Sequence, residues 1–334
     1  MVSKVVIRGL YVVVLLLCVL ATAGISVLLE SKQFVFKQTD EKLVQEIDTS
    51  PFPVSVDPKS QTIMEEDQLG NHVYDTLAKR KETPDDWKSK IVAFFVDKEW
   101  YQNLASPVSR IVVIWPGERK EEIAENIGNI LRWDTTQKAE FLTLMETGTT
   151  TLSEGMLYPD EYVAYRGATP EEVALMVKEK FDQNILTRYT PEVEAQVPLE
   201  DAIVIASLLE REASDFENMR EISGVIWNRL FINMPLQLDA TLQYAKGSRS
   251  PEKDWWPVPK PADKFINSPY NTYANKGLPP TAIGNPSAAA ILAALNPLST
   301  DCLYYFHDKK QKYHCSETYE EHVAKLKKSY GRGK

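Results

Sequence analysis

Ala202-Ile203-Val204-Ile205-Ala206-Ser207-Leu208-Leu209-Glu210-Arg211-Glu212 is the stretch on which the reading of this chain turns. Its first eight residues are apolar nearly all round, so they predict a helix buried inside a folded domain, not an amphipathic surface helix. With about 100° between successive side chains, Glu212 falls between Leu208 and Ile205, close to Leu209. Glu210 leaves the helix about 160° away from Glu212, near Ile203 and Ser207, with Arg211 between the two. A carboxyl group that ends an apolar stripe is partly desolvated, which favours its neutral form. Such a glutamic acid holds a proton at neutral pH and can deliver it as a general acid. The same pattern also fits a carboxylate that caps the buried segment or pairs with an arginine such as Arg229.

Working outward, the buried helix is expected over residues 198–213 and a second one over 217–231. Upstream, Thr169-Pro170-Glu171 is a helix start signal for residues 172–184. Residues 110–114 alternate as a short strand, then Pro116-Gly117-Glu118 turns into an amphipathic helix over 121–131. A further helix is expected over 85–100. Downstream come a Trp- and Pro-rich loop over 255–261, an Ala-rich helix over 286–295 and a hairpin, Leu303-Tyr304-Tyr305-Phe306 against Tyr313-His314. A last helix covers 318–330. The fold class is α+β, mainly helical in its second half.

Between these elements lie polar segments: Asn228-Arg229-Leu230, the loop Pro235-Leu236-Gln237-Leu238-Asp239-Ala240-Thr241, Ser268-Pro269-Tyr270-Asn271-Thr272-Tyr273, and Gly277-Leu278-Pro279-Pro280. Tyrosines interleaved with amides and hydroxyls suit sugars, whose faces stack on rings and whose hydroxyl and acetamido groups need neutral partners. An ordered turn held by its own Asn and Thr side chains fits equally well.

A formal charge of −9 gives little electrostatic support to nucleic-acid binding. His72, His307, His314 and His322 show no ligand spacing with an acidic partner, so neither a metal nor a cofactor is expected. Lys4 and Arg8 precede an uncharged run from Leu10 to Leu29, long enough to cross a bilayer, with Glu30 after it. The charge order puts the N-terminus in the cytoplasm and the rest outside, on a single-pass inner-membrane anchor. Ala21-Thr22-Ala23 offers a competing signal-peptidase site, although the apolar run continues past it. Cys18 lies inside the run; Cys302 and Cys315 flank the hairpin and are either bridged or two buried thiols. Residues 31–62, with Pro51, Pro53 and Pro58, read as a stalk or irregular lead-in.

Taken together, the segments from about Ile111 to the last helix, roughly two-thirds of the chain, resemble the MltG (YceG-like) family of endolytic murein transglycosylases. The resemblance rests on the segment ending Glu210-Arg211-Glu212, on the four polar segments above, on Glu154-Gly155-Met156-Leu157-Tyr158-Pro159-Asp160, and on Ser316-Glu317-Thr318-Tyr319-Glu320-Glu321-His322. The chain departs from the family's usual residues at Ala213 (Thr), Glu161 (Thr), Ala240 (Pro) and Tyr313 (often His). The resemblance implies an N-terminal anchor (1–30), a stalk without a convincing match (31–109), part of a small LysM-like βα subdomain (110–150) and a mainly helical catalytic domain with a C-terminal hairpin (151–334).

It also implies that the second glutamate of the Glu-x-Glu pair, Glu212, is catalytic. Glu212 would protonate the glycosidic oxygen between N-acetylmuramic acid and N-acetylglucosamine, then as a carboxylate take the proton of the muramic 6-hydroxyl, closing a 1,6-anhydro ring. Candidate ordering and substrate-binding residues are Glu154, Glu210, Asn228, Gln237, Asp239, Tyr270, Asn271, Thr272 and Tyr273. Peptidoglycan glycan strands are the expected partner, with peptidoglycan synthases as candidates beside them. Two rivals stand next to this reading: a hydrolytic muramidase with Asp239 as second carboxylate, and a non-catalytic wall-binding scaffold.

Overall fold

The computed structural model describes residues 49–64, 73–75, 109–147, 152–249 and 254–331. The expected membrane anchor over 10–29, Cys18 and the expected helix over 85–100 lie outside these residues. Among the described residues, no helix is long and apolar enough to cross a membrane. Residues 48–81 and 112–334 belong to one compact unit; of the other unit (1–47 and 82–111), only residues 109–111 are described, at the start of a strand.

In chain order the elements are β1 (Val56–Asp57), β2 (Thr62–Ile63), β3 (Ser109–Val113), α1 (Lys120–Leu131), α2 (Thr135–Thr147), β4 (Glu161–Tyr165) and α3 (Pro170–Phe181). Then follow α4 (Pro191–Gln196), α5 (Leu199–Glu212), α6 (Phe216–Phe231), α7 (Asp239–Gly247), α8 (Ala288–Leu295), β5 (Tyr304–His307), β6 (Tyr313–Ser316) and α9 (Tyr319–Tyr330). The strands form three two-stranded sheets, β1-β2, β3-β4 and β5-β6.

The long apolar stretch is α5, with every residue from Ala202 to Leu209 buried. It packs against α6 and α8, whose facing surfaces are rich in small side chains such as Ala290, Ala293 and Ala294. Each Leu or Ile taken fully out of water there contributes about 1.5–3 kcal/mol. Helix starts follow local chemistry. Asp215 accepts from the Asn218 amide at the head of α6, Ser287 from the Ala290 amide at the head of α8, and Thr169 and Glu172 form a reciprocal box at α3. α3 begins at Pro170 and passes after Phe181 into a wider π-type turn, Asp182–Leu186.

A smaller core gathers Val112, Ile114, Ile123, Ile127, Phe141, Tyr162, Val173 and Val177 from β3, α1, α2, β4 and α3. Asn285 joins it to the larger core. Its side chain accepts from the amides of Gly155 and Leu157 and donates to the Glu118 carbonyl and to Glu154. Gly155 is required at this junction. Its φ is +95°, and a β-carbon would lie 2.3 Å from Ile203.

Two expectations are corrected by the fold. Of the two readings of 31–62, the described part, 49–62, is an irregular lead-in packed on the core and not a stalk. Phe52 and Val56 are buried in the larger core, and the Phe52 and Ser55 amides donate to the carbonyls of Arg188 and Leu295. Asp239-Ala240-Thr241 is not loop either, because it opens α7, with Thr241 Oγ1 folded back onto the Leu238 carbonyl.

Candidate active site

Three elements bring the site together. α5 ends at Glu212, α7 begins at Asp239, and the β5-β6 hairpin carries Tyr305 across from Cys315. Together with α6, α9 and the segment 261–273 they border an open cleft of about 420 Å³, lined by Glu212, Arg229, Gln237, Leu238, Asp239, Lys264, Tyr273, Tyr304, Tyr305, Phe306, His307, Tyr319 and His322.

Glu212 is half-buried at this wall. The Tyr305 hydroxyl donates to its Oε2 at 3.0 Å, and the Ala240 amide points at its Oε1 from 3.5 Å. It forms no ion pair among the described residues, with Arg229 or any other cation. Loss of water raises its pKa above the usual glutamate value. The Tyr305 hydroxyl and the Ala240 amide work against that rise, Asp239 adds to it, and Arg211 opposes it. Tyr305, itself buried beside this carboxyl, is pushed far above the ordinary tyrosine range and remains a donor. The Tyr305 hydroxyl addresses one carboxyl oxygen and the Ala240 amide the other, and each oxygen keeps a second lone-pair position at which a proton can sit. Once that proton has left, the Tyr305 hydroxyl and the Ala240 amide, the latter at the positive end of α7, both face a carboxylate. The arrangement suits one carboxyl group that gives up a proton and takes one back.

Four of the residues singled out in the sequence meet here: Glu212, Gln237, Asp239 and Tyr273. Asp239 accepts from the Tyr273 hydroxyl at 2.7 Å. Gln237 is held at φ +51°, a conformation that costs a non-glycine residue about 1–2 kcal/mol, and its amide donates to the Thr272 carbonyl.

The other six lie off the cleft wall. Asn271 is fully buried, donates to the carbonyls of Lys264 and Ile266, and accepts from the Tyr273 amide. Thr272 is buried against Thr241 and accepts from the Leu238 amide. Asn228 donates to the carbonyls of Thr300 and Cys302, fastening the hairpin to α6. Glu210 accepts from the Ser287 amide and hydroxyl at the head of α8. Tyr270 shares a hydrogen bond with Thr281, its ring 4.7 Å from that of Tyr244. Glu154 lies at the Asn285 junction between the two cores, with a pKa raised to about 8, chiefly by burial.

The profile of the YceG-like family matches residues 87–328. The chain belongs to the YceG-like family. That match starts upstream of Ile111, so part of the segment that carried no motif, 87–109, falls within the family as well. The endolytic murein transglycosylase of Streptococcus pneumoniae strain D39 is 30% identical over 184 residues, 55% of this chain and 33% of that protein. The endolytic murein transglycosylase of Bacillus subtilis strain 168 is 33% identical over 178 residues, 53% of this chain and 48% of its own length. The chain thus spans between a third and a half of the curated relatives it matches. A crystal structure of a YceG-like protein from Listeria monocytogenes superposes with a TM-score of 0.57 at 29% identity, covering 65% of this chain and 75% of that one.

In this YceG-like chain most of the cleft residues that sequence reading did not single out come from the hairpin and the helix after it, with Arg229, Leu238 and Lys264 added from earlier segments. Tyr305 is the direct partner of Glu212. Tyr304, Tyr319 and His322 cluster with ring centres 5.5–6.5 Å apart. The available signal was compositional. Tyr304-Tyr305-Phe306-His307 is too aromatic for a two-stranded hairpin with no sheet beside it. Cys302 and Cys315, left open as bridge or thiols, form a disulfide with Cα atoms 5.8 Å apart, bracing the strand that holds Tyr305.

Proposed function

We propose that this chain cuts peptidoglycan glycan strands internally as a lytic transglycosylase, with Glu212 as general acid and then general base. The observation that carries the reading is a half-buried carboxyl on the cleft wall, biased toward its protonated form, whose hydrogen-bond partners among the described residues are a phenol and a helix-start amide. Protonated Glu212 transfers its proton to the glycosidic oxygen between N-acetylmuramic acid and N-acetylglucosamine. The resulting carboxylate, steadied by Tyr305 and Ala240, takes the proton of the muramic 6-hydroxyl as that oxygen closes a 1,6-anhydro ring on the anomeric carbon. No water is consumed and no metal is needed. Glu212, Gln237, Asp239 and Tyr273 face the substrate. Glu154, Glu210, Asn228, Tyr270, Asn271 and Thr272 order the scaffold behind them. Likeness to relatives named as endolytic murein transglycosylases supports the same reading.

The segment from about 110 serves as a LysM-like subdomain beside a catalytic domain over 151–334. The Cys302–Cys315 disulfide supports export, and the charge-flanked run 10–29 an inner-membrane anchor, with peptidoglycan synthases as candidate neighbours. A hydrolytic reading keeps one observation in its favour, that Asp239 shares the cleft with Glu212.

Mass spectrometry of purified strands digested by the chain decides between them. Transglycosylation gives internal cuts whose anhydro ends are about 18 mass units lighter than hydrolytic ends, because no water is added. Reducing muramic ends would point instead to hydrolysis and to Asp239. Glu212→Gln should cut at least about 100-fold more slowly while folding normally, the usual scale of a lost general acid. Undiminished cutting by that variant would remove Glu212 from the mechanism.

A further inference from the structure

The chain is acidic overall, at formal charge −9, yet two cations with no carboxylate partner among the described residues stand in one cleft. Arg229 is only 6% exposed. Its Nε donates to the Leu303 carbonyl at 2.6 Å and its Nη1 to the Pro235 and Leu236 carbonyls at 3.3 and 2.5 Å, which leaves Nη2 without an acceptor among the described residues. The guanidinium lies 5.3 Å from the Tyr304 ring centre. Carbonyls and a ring face offset part of the desolvation of a buried arginine, a charge that ordinarily has a carboxylate beside it. Lys264 is exposed, forms no ion pair among the described residues, and holds its ammonium 4.6 Å from the Tyr273 ring centre. Both side chains line the cleft that holds Glu212.

The opposing charge on that wall is small. Burial favours the neutral form of Glu212, and Asp239 is engaged by the Tyr273 hydroxyl. The other basic groups, His307 and His322, are held toward their neutral forms by burial. With Glu212 protonated, two cations face one carboxylate, and the cleft attracts an anion.

We propose that Arg229 and Lys264 form an anion-reading subsite of the cleft, which recognises a carboxylate carried by the muramic residue of the substrate. The inference rests on the glycan-cleaving function proposed above and deepens it by naming the substrate group that the cleft reads. Two sources supply the chemistry. A muramic residue without peptide bears a free lactyl carboxylate. One with a stem peptide has that group tied up as an amide and presents the peptide's own carboxylates instead. Arg229 contributes the N–H groups of Nη2, and Lys264 a mobile point charge at the rim.

Binding to the full chain carrying Glu212→Gln tests the subsite independently of cleavage. Glycan strands of one length are prepared with and without stem peptides, each with carboxylates free or methyl-esterified, and titrated calorimetrically. Esterification is expected to weaken binding at least tenfold at low salt, with the difference shrinking as salt screens the exposed lysine. Lys264→Gln in the same background should lose most of that difference and Lys264→Arg should keep it. This pair of variants spares Arg229, whose carbonyl bonds also hold the hairpin in place. A difference confined to peptide-free strands identifies the lactyl carboxylate, one confined to peptide-bearing strands the stem, and one in both means either source suffices. Equal affinity for free and esterified strands overturns the subsite, as does a difference that Lys264→Gln leaves intact or a failure to bind any strand. A retained difference in a chain whose wild type cuts nothing would support the subsite and sink the transglycosylase reading alone.

Discussion

Raising the pH from 5 to 9 should weaken this fold through one buried side chain, Glu154. Its Oε1 accepts from the Lys120 amide at 3.0 Å and from Asn285 Nδ2 at 2.9 Å, while the buried Oε2 meets no partner among the described residues. Burial raises its pKa from 4.5 to about 8, with Glu121 adding to the rise and the Lys120 amide and Arg119 opposing it. A carboxyl whose folded pKa lies above its unfolded value holds its proton more tightly when folded. Its stabilising contribution is therefore complete below pH 4.5 and disappears as pH climbs to about 8. At about 1.4 kcal/mol per unit, that difference amounts to a loss on the order of 5 kcal/mol in full, of which about 4 kcal/mol falls between pH 5 and 9. Glu154→Gln removes the titration but leaves a buried amide N–H₂ where Oε2 stood, a cost of about 1–3 kcal/mol at every pH. The two stability curves should therefore cross, with wild type more stable at pH 5 and the variant more stable at pH 9. Denaturant melts of the full chain followed by tryptophan fluorescence provide the assay. Parallel curves from pH 5 to 9 would refute the argument, because they would mean that Glu154 does not carry the proton assigned to it.

Three further outcomes follow from the contacts around the cleft. Tyr305→Phe removes the hydroxyl that holds the Glu212 pKa down, so the alkaline limb of the kcat/KM profile should move to higher pH; an unmoved limb would show that the phenol does not tune the acid. Cleavage by that variant should also slow about tenfold, since the carboxylate formed after proton transfer loses its charge-assisted donor. Asn271→Ala strands the carbonyls of Lys264 and Ile266 and the Tyr273 amide, and should cost about 2–4 kcal/mol in chemical denaturation. Unchanged stability with weakened glycan binding would return Asn271 to the sugar site. Reducing the Cys302–Cys315 bridge releases a loop of sequence separation 13. Hydrogen exchange across residues 303–316 should rise, and cleavage should fall because Tyr305 loses its brace, on a scale of about 3 kcal/mol for a loop of this size. Exchange unaltered by reductant would mean that the bonds from Asn228 and Arg229 hold the hairpin unaided.

Elements with a strong internal period were readable in the chain. The buried helix, the α6 that follows it, the alanine-rich α8 and the amphipathic α1 all fall within a few residues of expectation, because each announces itself in one turn-to-turn pattern and a local start signal. The elements that escaped lack such a pattern. Helix α2 has a polar surface on most sides, so little in its sequence marks a buried face. β1 and β2 are two residues each and exist because Phe52 and Val56 are fastened to the larger core, by contacts more than a hundred residues away in the chain.

The site divides along the same line. Glu212 was legible because its bias comes from the three or four residues before it on one helix. Its partner Tyr305 stands 93 residues further on, and no pattern local to either residue connects them. The polar segment Tyr270-Asn271-Thr272-Tyr273 shows the reverse limit. Its composition suits a sugar, yet a loop that passes beneath a cleft must satisfy its own buried backbone, and Asn271 and Thr272 are spent on carbonyls and amides of residues 238–273. Only Tyr273 emerges, and it emerges bonded to Asp239. Composition therefore identified the segment that builds the cleft floor, while the direction of each side chain depended on which backbone groups the fold left unpaired. That dependence explains why the aromatic hairpin, whose backbone is already paired strand to strand, had its side chains free to become the cleft wall.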